Sequence, residues 1–345
     1  MGKDTVRPKL LDVARHAQVS PATVSRVIHN NAPVREKVRA RVLASMSALG
    51  YETKQFKPVA FHNVVAVLIP DLLNPYFAEM LRGIQDQAAS NGMMILLLDS
   101  AEDVQREEQL LRLSLTKPID GIILAAARLS DADLISFREQ HGVPMIVLNR
   151  NITHPAIPCI LVDFENATYR AARHLLSLNH TRIAYLAGPA ASEASQRRRR
   201  GIETALKEAG VVLRDEWCPA SFPNVSGAFQ AMSALLALPE AERPTAALAY
   251  NDIMALGALH AIRVHRLRVP EDISVVGFDD IAMAAHANPP LTTIAQPKYR
   301  MGKLAMQMLE QMITRQALLG AGYTLLESPL IVRESTAPCN VGNER

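Results

Sequence analysis

Polar and aromatic side chains follow the short apolar runs that recur from Val64 onward, at the points where those runs end. Open parallel sheets bind small molecules just beyond the carboxyl ends of their strands, so these side chains are expected to line one cleft. Aromatic faces combined with amides and carboxylates suit a hydroxyl-rich or heteroaromatic small molecule. The residues in these places are Leu73, Asn74, Tyr76, Phe77, Asp99, Asn149, Arg150, Ser192, Asn251, Asp252, Asp279 and Asp280.

Four consecutive arginines, 197–200, lie near the start of a helical pattern. Cations there oppose the positive end of the helix dipole, so an anionic partner is expected. The sequence leaves two kinds of anionic partner as alternatives. One is a set of surface acids such as Glu193 and Glu203, and the other is a ligand carboxylate or phosphate held by Arg198 and the helix N-terminus.

The apolar runs themselves predict the elements that position the cleft. They alternate with helical patterns, which is typical of doubly wound parallel sheets. The runs are too numerous for a single sheet of ordinary size, so we expect two similar lobes. The first lobe ends at about Leu161 and the second begins at about Val162. The runs lie at 64–69, 94–98, 121–126, 145–148, 160–162, 183–187, 246–249 and 273–278.

The first fifty residues predict three short helices. The first carries apolar residues at helical spacing from Leu10 to Ala17, and after a break the pair Ser20-Pro21 marks a second start as N-cap and first helical residue. The second helix runs to about His29 and the third from about Arg35 to Leu49. Together they form the minimal core of a helix-turn-helix module, whose second helix enters the major groove of DNA. The expected inward residues are Val13, Ala14, Val24, Val27, Ile28, Val38, Val42, Met46 and Leu49.

The charge is divided unevenly along the chain. Residues 1–60 carry a net charge of +7, and the remainder carries −4, within a total of +3. A basic head on a mildly acidic body indicates a module that binds a polyanion, attached to a domain that does not.

Composition and motifs exclude several other classes. The chain has 345 residues, 49% hydrophobic and 21% charged, as in a globular protein of two or three domains. It has no apolar run long enough to span a bilayer and no signal-peptide pattern, so no membrane association and a cytoplasmic location are expected. Neither the three separated cysteines nor the scattered histidines indicate a disulfide, metal or cofactor site. Nucleophile-elbow, Walker and zincin motifs are missing from the sequence, so no enzyme activity is expected.

The head sequence LLDVARHAQVSPATVSRVIHNN, followed by VREKVRARVLASMSALGY, closely resembles the DNA-binding head of the LacI/GalR (lactose-repressor/galactose-repressor) family. The resemblance implies that Pro21, Ala22 and Arg26 read bases. A guanidinium donates two hydrogen bonds to guanine O6 and N7, whereas Ala22 offers an apolar contact, for instance to a thymine methyl. The alternative for Arg26 is a plain surface charge. Thr23, Ser25 and His29 are expected at phosphates, and Lys9, Leu10 and Ser20 complete the expected DNA-binding set.

The chain departs from the family pattern at two places. Gln18 stands where the family has glycine, so a non-glycine residue is expected at positive φ. In the linker, the family forms a hinge helix whose leucine wedges into the minor groove. Here Pro58 interrupts that segment, because proline cannot sit inside a helix, and no leucine occupies the wedge position. Less intercalation and less DNA bending are therefore expected, with Val59 and Phe61 as substitute wedges.

The body is similar to the periplasmic-binding-protein-like sensor domain of the same family. The segments that carry the resemblance are NPYF, NHTRIAYLAGP, YNDIMALGAL, VPEDISVVGFDDI and PLTTIAQP. It implies that Arg198, Asn251 and Asp279 anchor the effector and that Phe222 stacks on it. The wall of the site would be completed by Tyr76, Phe77, Asn149 and Gln296. Ser192 is added to this set because it follows a strand.

Each of these roles has a structural alternative. Asp279 and Asn251 have the alternative of capping helices, although Asp252 is the stronger candidate to cap the helix expected from Ile253. Phe222 has the alternative of a core position.

The predicted fold is therefore an all-α helix-turn-helix head plus a two-lobed α/β sensor domain of doubly wound parallel sheets. The expected domains are 1–51 for the head, 52–62 for the linker and 63–345 for the sensor. Lobe 1 is expected at about 63–161 and 293–322, and lobe 2 at about 162–292 and 323–345, with three crossings between lobes.

The predicted function is a transcriptional regulator, as a repressor, that binds double-stranded operator DNA as a homodimer or tetramer. Its expected effector is a sugar or sugar acid, with a purine or nucleoside as the runner-up. The alternative of another class is a sugar-metabolism enzyme with a fused DNA-binding head.

Overall fold

The computed structural model describes residues 9–29, 34–49, 51, 62–190, 192–314 and 322–339, without the side chains of residues 28, 29 and 36. The chain divides into two compact units, Met1–Phe61 and His62–Arg345. The hinge-helix expectation falls on residues 52–61, including Pro58, which lie outside the described residues; it stays a prediction.

The first unit contains three helices, α1 (Leu10–His16), α2 (Pro21–His29) and α3 (Glu36–Leu49). They share a small core with little or no exposed surface, which confirms the predicted three-helix arrangement. The buried members are Val13, Ala14, Ala17, Val24, Val27, Val42 and Met46.

The turn between α1 and α2 has the predicted local chemistry. The hydroxyl of Ser20 accepts the backbone N–H of Thr23 at 3.2 Å, which is the N-cap bond expected from the Ser-Pro start. Gln18 has φ 52°, so the residue that replaces glycine does adopt the left-handed region.

The first sheet of the second unit has the strand order β10-β5-β4-β3-β1-β2, and all its pairs are parallel. Helices connect most of its parallel strands, whereas the crossover from Leu148 to Cys159 contains no helix. The strands are β1 (Val64–Ile69), β2 (Met94–Asp99), β3 (Gly121–Ala125), β4 (Met145–Leu148), β5 (Cys159–Val162) and β10 (Tyr323–Leu326). The accompanying helices are α4 (Pro75–Ser90), α5 (Val104–Ser114), α6 (Asp131–His141) and α12 (Lys298–Ile313).

The second sheet has the order β11-β9-β8-β7-β6, parallel except for the last short pair, β11 with β9. Its strands are β6 (Ile183–Leu186), β7 (Ala246–Ala249), β8 (Ser274–Asp279), β9 (Thr292–Ala295) and β11 (Leu330–Ile331). Its helices are α7 (Phe164–Ser177), α8 (Glu193–Glu208), α9 (Val225–Leu236), α10 (Asp252–Val264) and α11 (Ala282–His286), with short 3-10 turns at Asp215–Trp217 and Glu240–Glu242.

Two of the three crossings lie later than the sequence indicates. β9 pairs with β8, so residues 293–295 belong to the second sheet and not to lobe 1. β10 pairs with β5, so residues 323–326 belong to the first sheet and not to lobe 2. The physical reason is that each short strand forms hydrogen bonds along its neighbour, β9 with β8 and β10 with β5, before the chain leaves that lobe. The crossings therefore follow β5, β9 and β10.

Helices α4 and α12 pack closely on one another against the first sheet. The contact depends on glycine, since a Cβ on Gly83 would stand 2.1 Å from the carbonyl oxygen of Tyr299, and one on Gly302 would stand 2.0 Å from that of Met80. In the described part of the chain no helix combines the length and the hydropathy needed to cross a membrane.

Candidate functional site

One face of α2 carries the residues expected to meet DNA. Pro21, Ala22 and Arg26 are exposed, and Thr23 and Ser25 are half-buried, while Val24 and Val27 of the same helix are fully buried. Periodicity thus separates a core face from a free face that holds the guanidinium of Arg26 one turn after Ala22.

The remaining residues of that set have distinct positions. Lys9 is the exposed N-cap residue of α1, and Leu10 is half-buried against the small core of the first unit. The hydroxyl of Ser20 is already paired with that of Thr23 at 2.9 Å. The side chain of His29 lies outside the described residues.

A cavity lies between the two lobes of the second unit at the carboxyl ends of the strands, as predicted. Its volume is about 30 Å³, room for roughly two water-sized groups. The lobes are therefore close together, and side chains fill most of the cleft. The lining residues are Asp71, Asn74, Tyr76, Phe77, Glu102, Ala126, Arg128, Asn149, Phe164, Ala194, Arg198, Pro223, Tyr250, Asn251, Asp279 and Gln296.

A chain of hydrogen bonds crosses the cavity from one lobe to the other. The amide of Asn149 donates to the hydroxyl of Tyr76 at 2.6 Å, and that hydroxyl donates to the side-chain oxygen of Gln296 at 3.2 Å. The amide of Gln296 then donates to a carboxylate oxygen of Asp279 at 2.6 Å. Asn149 and Tyr76 belong to lobe 1 and Asp279 to lobe 2, so the arrangement of the lobes and the position of this carboxylate are linked.

The Arg198 guanidinium is held in an aromatic cage. Its central carbon lies 3.7 Å from the ring centroid of Phe278, 4.5 Å from that of Tyr250 and 4.7 Å from that of Phe164. Only 4% of Arg198 is exposed, and one Nη donates to the backbone carbonyl of Tyr250. Stacking on aromatic faces suits a planar guanidinium that must stay charged away from water.

Two buried polar atoms at the cavity have no hydrogen-bond partner among the described residues. They are the side-chain oxygen of Asn149, on lobe 1, and Nε of Arg198, on lobe 2. Buried polar groups in folded proteins are nearly always paired, so an unpaired acceptor and an unpaired donor on two residues that line one cavity need an explanation. A ligand that both donates and accepts hydrogen bonds supplies one.

Asp279 ends β8 in a strained conformation, with φ 121°. Complete burial raises the pKa of its carboxyl to about 7; Arg198, 3.9 Å away, opposes this shift and nearby Asp252 adds to it. Burial therefore outweighs the attraction of the guanidinium at that distance. A carboxyl poised near neutrality in a cleft is typical of a functional site.

The lobe 1 wall contains a second buried guanidinium. Arg128 pairs with Glu102 at 2.9 Å, and both side chains are less than a tenth exposed. Behind them the fully buried Glu107 accepts the backbone N–H groups of Arg128 and Leu129, and burial raises the pKa of its carboxyl. This network fixes the loop after β3 in place.

Most of the predicted effector residues meet at the cavity. Tyr76, Phe77, Asn149, Arg198, Asn251, Asp279 and Gln296 line it. Ser192 does not; it is the N-cap of α8, and its hydroxyl lies 3.3 Å from that of Tyr250, behind the wall. Phe222 is 54% exposed, so it is neither a core residue nor a lining residue in this conformation, and the adjacent Pro223 takes the place at the wall.

The capping alternatives are decided. Asn251 is the N-cap of α10, accepting the N–H of Met254 at 2.8 Å, and it also lines the cavity. The expectation that Asp252 is the cap was wrong: its buried carboxylate accepts the backbone N–H of Ile281 and the hydroxyl of Thr293 instead. The helix starts one residue earlier than expected, which moves the cap back to Asn251. Asp279 caps no helix, because the N-cap of α11 is Ile281.

The arginine run divides by helix face. Arg197, Arg199 and Arg200 lie near acids on the surface, whereas Arg198 points into the cage at the cavity. The surface acids expected from the sequence are thus the partners of three members of the run, whereas a ligand anion at Arg198 stays a prediction. The acids are Glu193, Glu203, Asp215 and Glu165.

Sequence reasoning missed several lining residues. Arg128 and Ala126 follow β3, Tyr250 follows β7, Phe164 follows β5, and Glu102 lies just past β2. The strand-end rule applied to every run would have found them.

Comparison with known proteins gives consistent matches. Residues 9–54 match the model of bacterial regulatory proteins of the lacI family, and residues 62–322 match that of periplasmic binding proteins and the sugar binding domain of the LacI family. The HTH-type transcriptional repressor CytR of Escherichia coli (strain K12) is 35% identical over 97% of this chain and 98% of its own length.

Two solved structures of transcriptional regulators are also similar to this chain. A transcriptional regulator CelR–cellobiose complex matches with a TM-score of 0.71 and 30% identity over 95% of this chain and all of that one. A lac repressor dimer bound to operator and the anti-inducer ONPF matches with a TM-score of 0.71 and 29% identity over 96% of this chain and all of that one.

Proposed function

Because the chain belongs to the LacI family of bacterial transcriptional regulators, we propose that its α2 face reads operator DNA and that the cavity between its lobes holds the controlling effector. It is a DNA-binding repressor with a small-molecule sensor domain.

Two unpaired buried atoms support the assignment of the effector to this cavity. Asn149 contributes an acceptor from lobe 1 and Arg198 a donor from lobe 2. A ligand that pairs with both makes more contacts with closed lobes than with open ones. That difference in contact free energy is what allows a ligand to shift a two-state equilibrium.

The chemistry of the wall favours a sugar or sugar acid. Asn251, Asp279 and Asn149 offer the amide and carboxylate groups that hold hydroxyls, and Arg198 suits a carboxylate. The rings of Phe164 and Tyr250 are already stacked on Arg198. They are therefore less available to a heteroaromatic base, so a purine or nucleoside is the second candidate. A related solved regulator is a complex with cellobiose, which supports the first.

The cavity binds its ligand without turning it over, since its residues provide hydrogen bonds and stacking and the relatives are regulators. No cofactor is part of this proposal. Operator DNA lies in the cytoplasm, so the protein acts there.

A homodimer is the proposed operator-binding form. Strand β2 is an edge strand whose Met94 and Leu97 are 66% and 37% exposed, and Leu73 nearby is 88% exposed. An exposed apolar sheet edge is a natural contact for a second copy. A related repressor is seen as a dimer on its operator.

A thermal-shift panel of D-ribose, D-gluconate, cytidine and adenine tests the effector class. A ligand at 100 times its dissociation constant adds about 2.7 kcal/mol to the free energy of unfolding. The best ligand then enters operator titrations, in which it must change the operator affinity and must be recovered chemically unchanged.

Asp279→Ala and Arg198→Ala are expected to abolish the response to that ligand while leaving ligand-free operator affinity within about threefold, because neither residue is in the DNA-binding unit. Either variant responding at the wild-type ligand concentration would show that the cavity is not the effector site.

A further inference from the structure

Lys298, the first residue of α12, is buried with only 4% of its surface exposed. Its ammonium donates to the backbone carbonyls of Asp279 at 2.7 Å and Asp280 at 2.8 Å, and lies 3.4 Å from a carboxylate oxygen of Glu79. Two of the three N–H donors of the ammonium are thus hydrogen-bonded to carbonyls, and Glu79 is its ion-pair partner. Lysine is almost never buried unless it is paired in this way.

The two carbonyls belong to a strained turn. Asp279 and Asp280 have φ of 121° and 52°, two consecutive non-glycine residues outside the ordinary backbone regions. Such conformations persist only where the surroundings hold them. Lys298 binds both carbonyls of the turn with one charged group, while Arg333 pairs with the Asp280 carboxylate at 2.7 Å.

The ion-pair partner of the ammonium, Glu79, belongs to lobe 1 and not to the lobe of the turn. Glu79 lies on α4, and α12 packs on α4 within lobe 1, whereas Asp279 ends a central strand of the lobe 2 sheet. Lys298 is thus a residue of the lobe 1 helix layer that donates into the lobe 2 turn from which the Asp279 carboxylate enters the cavity.

We propose that Lys298 is a positioning residue that holds the Asp279 turn in its strained form and makes that form depend on the placement of lobe 1. This rests on the proposed role of Asp279 in effector binding. Lys298 does not line the cavity, so it acts through Asp279 and touches no ligand. Its two hydrogen bonds from a charged ammonium to the backbone carbonyls add a second link between the lobes, beside the Tyr76–Gln296 hydrogen bond.

Four variants separate this role from a general structural one. Lys298→Met keeps the length and removes the charge, and Lys298→Arg keeps a charge able to donate to the same carbonyls. Glu79→Gln weakens only the contact with lobe 1. Arg300→Met is the matched control, since Arg300 is exposed on the same helix and makes no polar contact with the described part of the chain.

Amide hydrogen exchange of the 279–284 segment in the full chain without ligand tests the turn. Lys298→Met is expected to exchange about tenfold faster there, whereas Lys298→Arg, Glu79→Gln and Arg300→Met stay within about twofold of the unchanged protein. Exchange in Lys298→Met that stays within twofold would overturn the proposal, and so would equally fast exchange in Arg300→Met.

A double-mutant cycle tests whether Lys298 acts through Asp279, with whichever of D-ribose, D-gluconate, cytidine or adenine binds most tightly. Lys298→Met is expected to weaken binding about tenfold and Glu79→Gln about threefold, while Lys298→Met adds nothing to Asp279→Ala. Full additivity would contradict the proposal. If none of the four probes binds, the proposed effector classes fail, and the exchange result alone decides the role of Lys298.

Discussion

At the scale of single residues, Arg26 is the exposed side chain of α2 best suited to tell one base pair from another. We predict that Arg26→Ala loses preference at one base pair in each half-site, by about 1–3 kcal/mol, because a bidentate contact to guanine is lost. Titrations against operators substituted at single positions measure this. Arg41→Ala, which removes an exposed charge from α3, serves as the control and is expected to affect all sequences equally. An unchanged preference in Arg26→Ala would leave Arg26 as a plain surface charge.

The buried carboxyl of Asp279 predicts a pH dependence of effector binding. Its pKa is raised to about 7 by burial, and a hydroxyl of the ligand donates a stronger hydrogen bond to the ionised carboxylate than to the neutral carboxyl. Below that pH binding must displace a proton, so affinity falls with decreasing pH, by up to about tenfold per unit, and is flat above it. Calorimetry from pH 6 to 8 measures the slope, and Asp279→Asn is expected to remove most of it. A slope that survives in Asp279→Asn would assign the titration to another group.

Single residues at the cavity were partly predictable. Those that directly end a strand, such as Asn149 and Asp279, follow from the apolar runs alone. The cage around Arg198 does not, because Phe278 and Phe164 reach it from separate strands and helices that only the folded lobe brings together. Phe222 shows the opposite limit, since the resemblance predicts a stacking residue but its side chain is exposed and Pro223 lines the cavity instead.

At the scale of elements, the contact between α4 and α12 depends on the absence of side chains at Gly83 and Gly302. We predict that Gly83→Ala lowers the free energy of unfolding by about 1–3 kcal/mol, because the added Cβ meets the backbone of Tyr299, which cannot move as a side chain does. Urea unfolding measures the change. Gln85→Ala, at an exposed position of the same helix, is the control and is expected to have little effect. Equal stability of the two variants would show that the helices separate without cost.

Element boundaries were predictable wherever an apolar run stood alone. The eight strands from β1 to β8 lie within about a residue of their runs because each is encoded by an almost unbroken apolar sequence, including the half-exposed edge strand β2. β10 was not recognised because its four residues, Tyr-Thr-Leu-Leu, include a polar threonine and form no continuous aliphatic run. That one strand decides where the last crossing lies.

At the scale of the whole molecule, the exposed edge of β2 predicts how two copies associate. We expect Leu97→Glu to shift the protein from dimer to monomer, because it puts a charge on an apolar edge. Sedimentation over a range of concentrations measures this. Leu113→Glu, also at an exposed leucine but on α5, is the control and is expected to remain a dimer. A dimeric Leu97→Glu would place the contact elsewhere.

The small volume of the cavity sets the order of events when the effector arrives. About 30 Å³ is far below the roughly 300–1,000 Å³ of pockets that enclose ligands, so we expect the ligand to enter only after the lobes part. We predict that this opening step limits the speed of the response. Temperature-jump relaxation, followed by the fluorescence of Trp217, the one tryptophan of the chain, is expected to give a rate that levels off as ligand concentration rises. A rate that rises linearly up to saturating ligand would mean that the lobes open faster than the ligand encounters the protein. The response time of the repressor would then be set by the effector concentration alone.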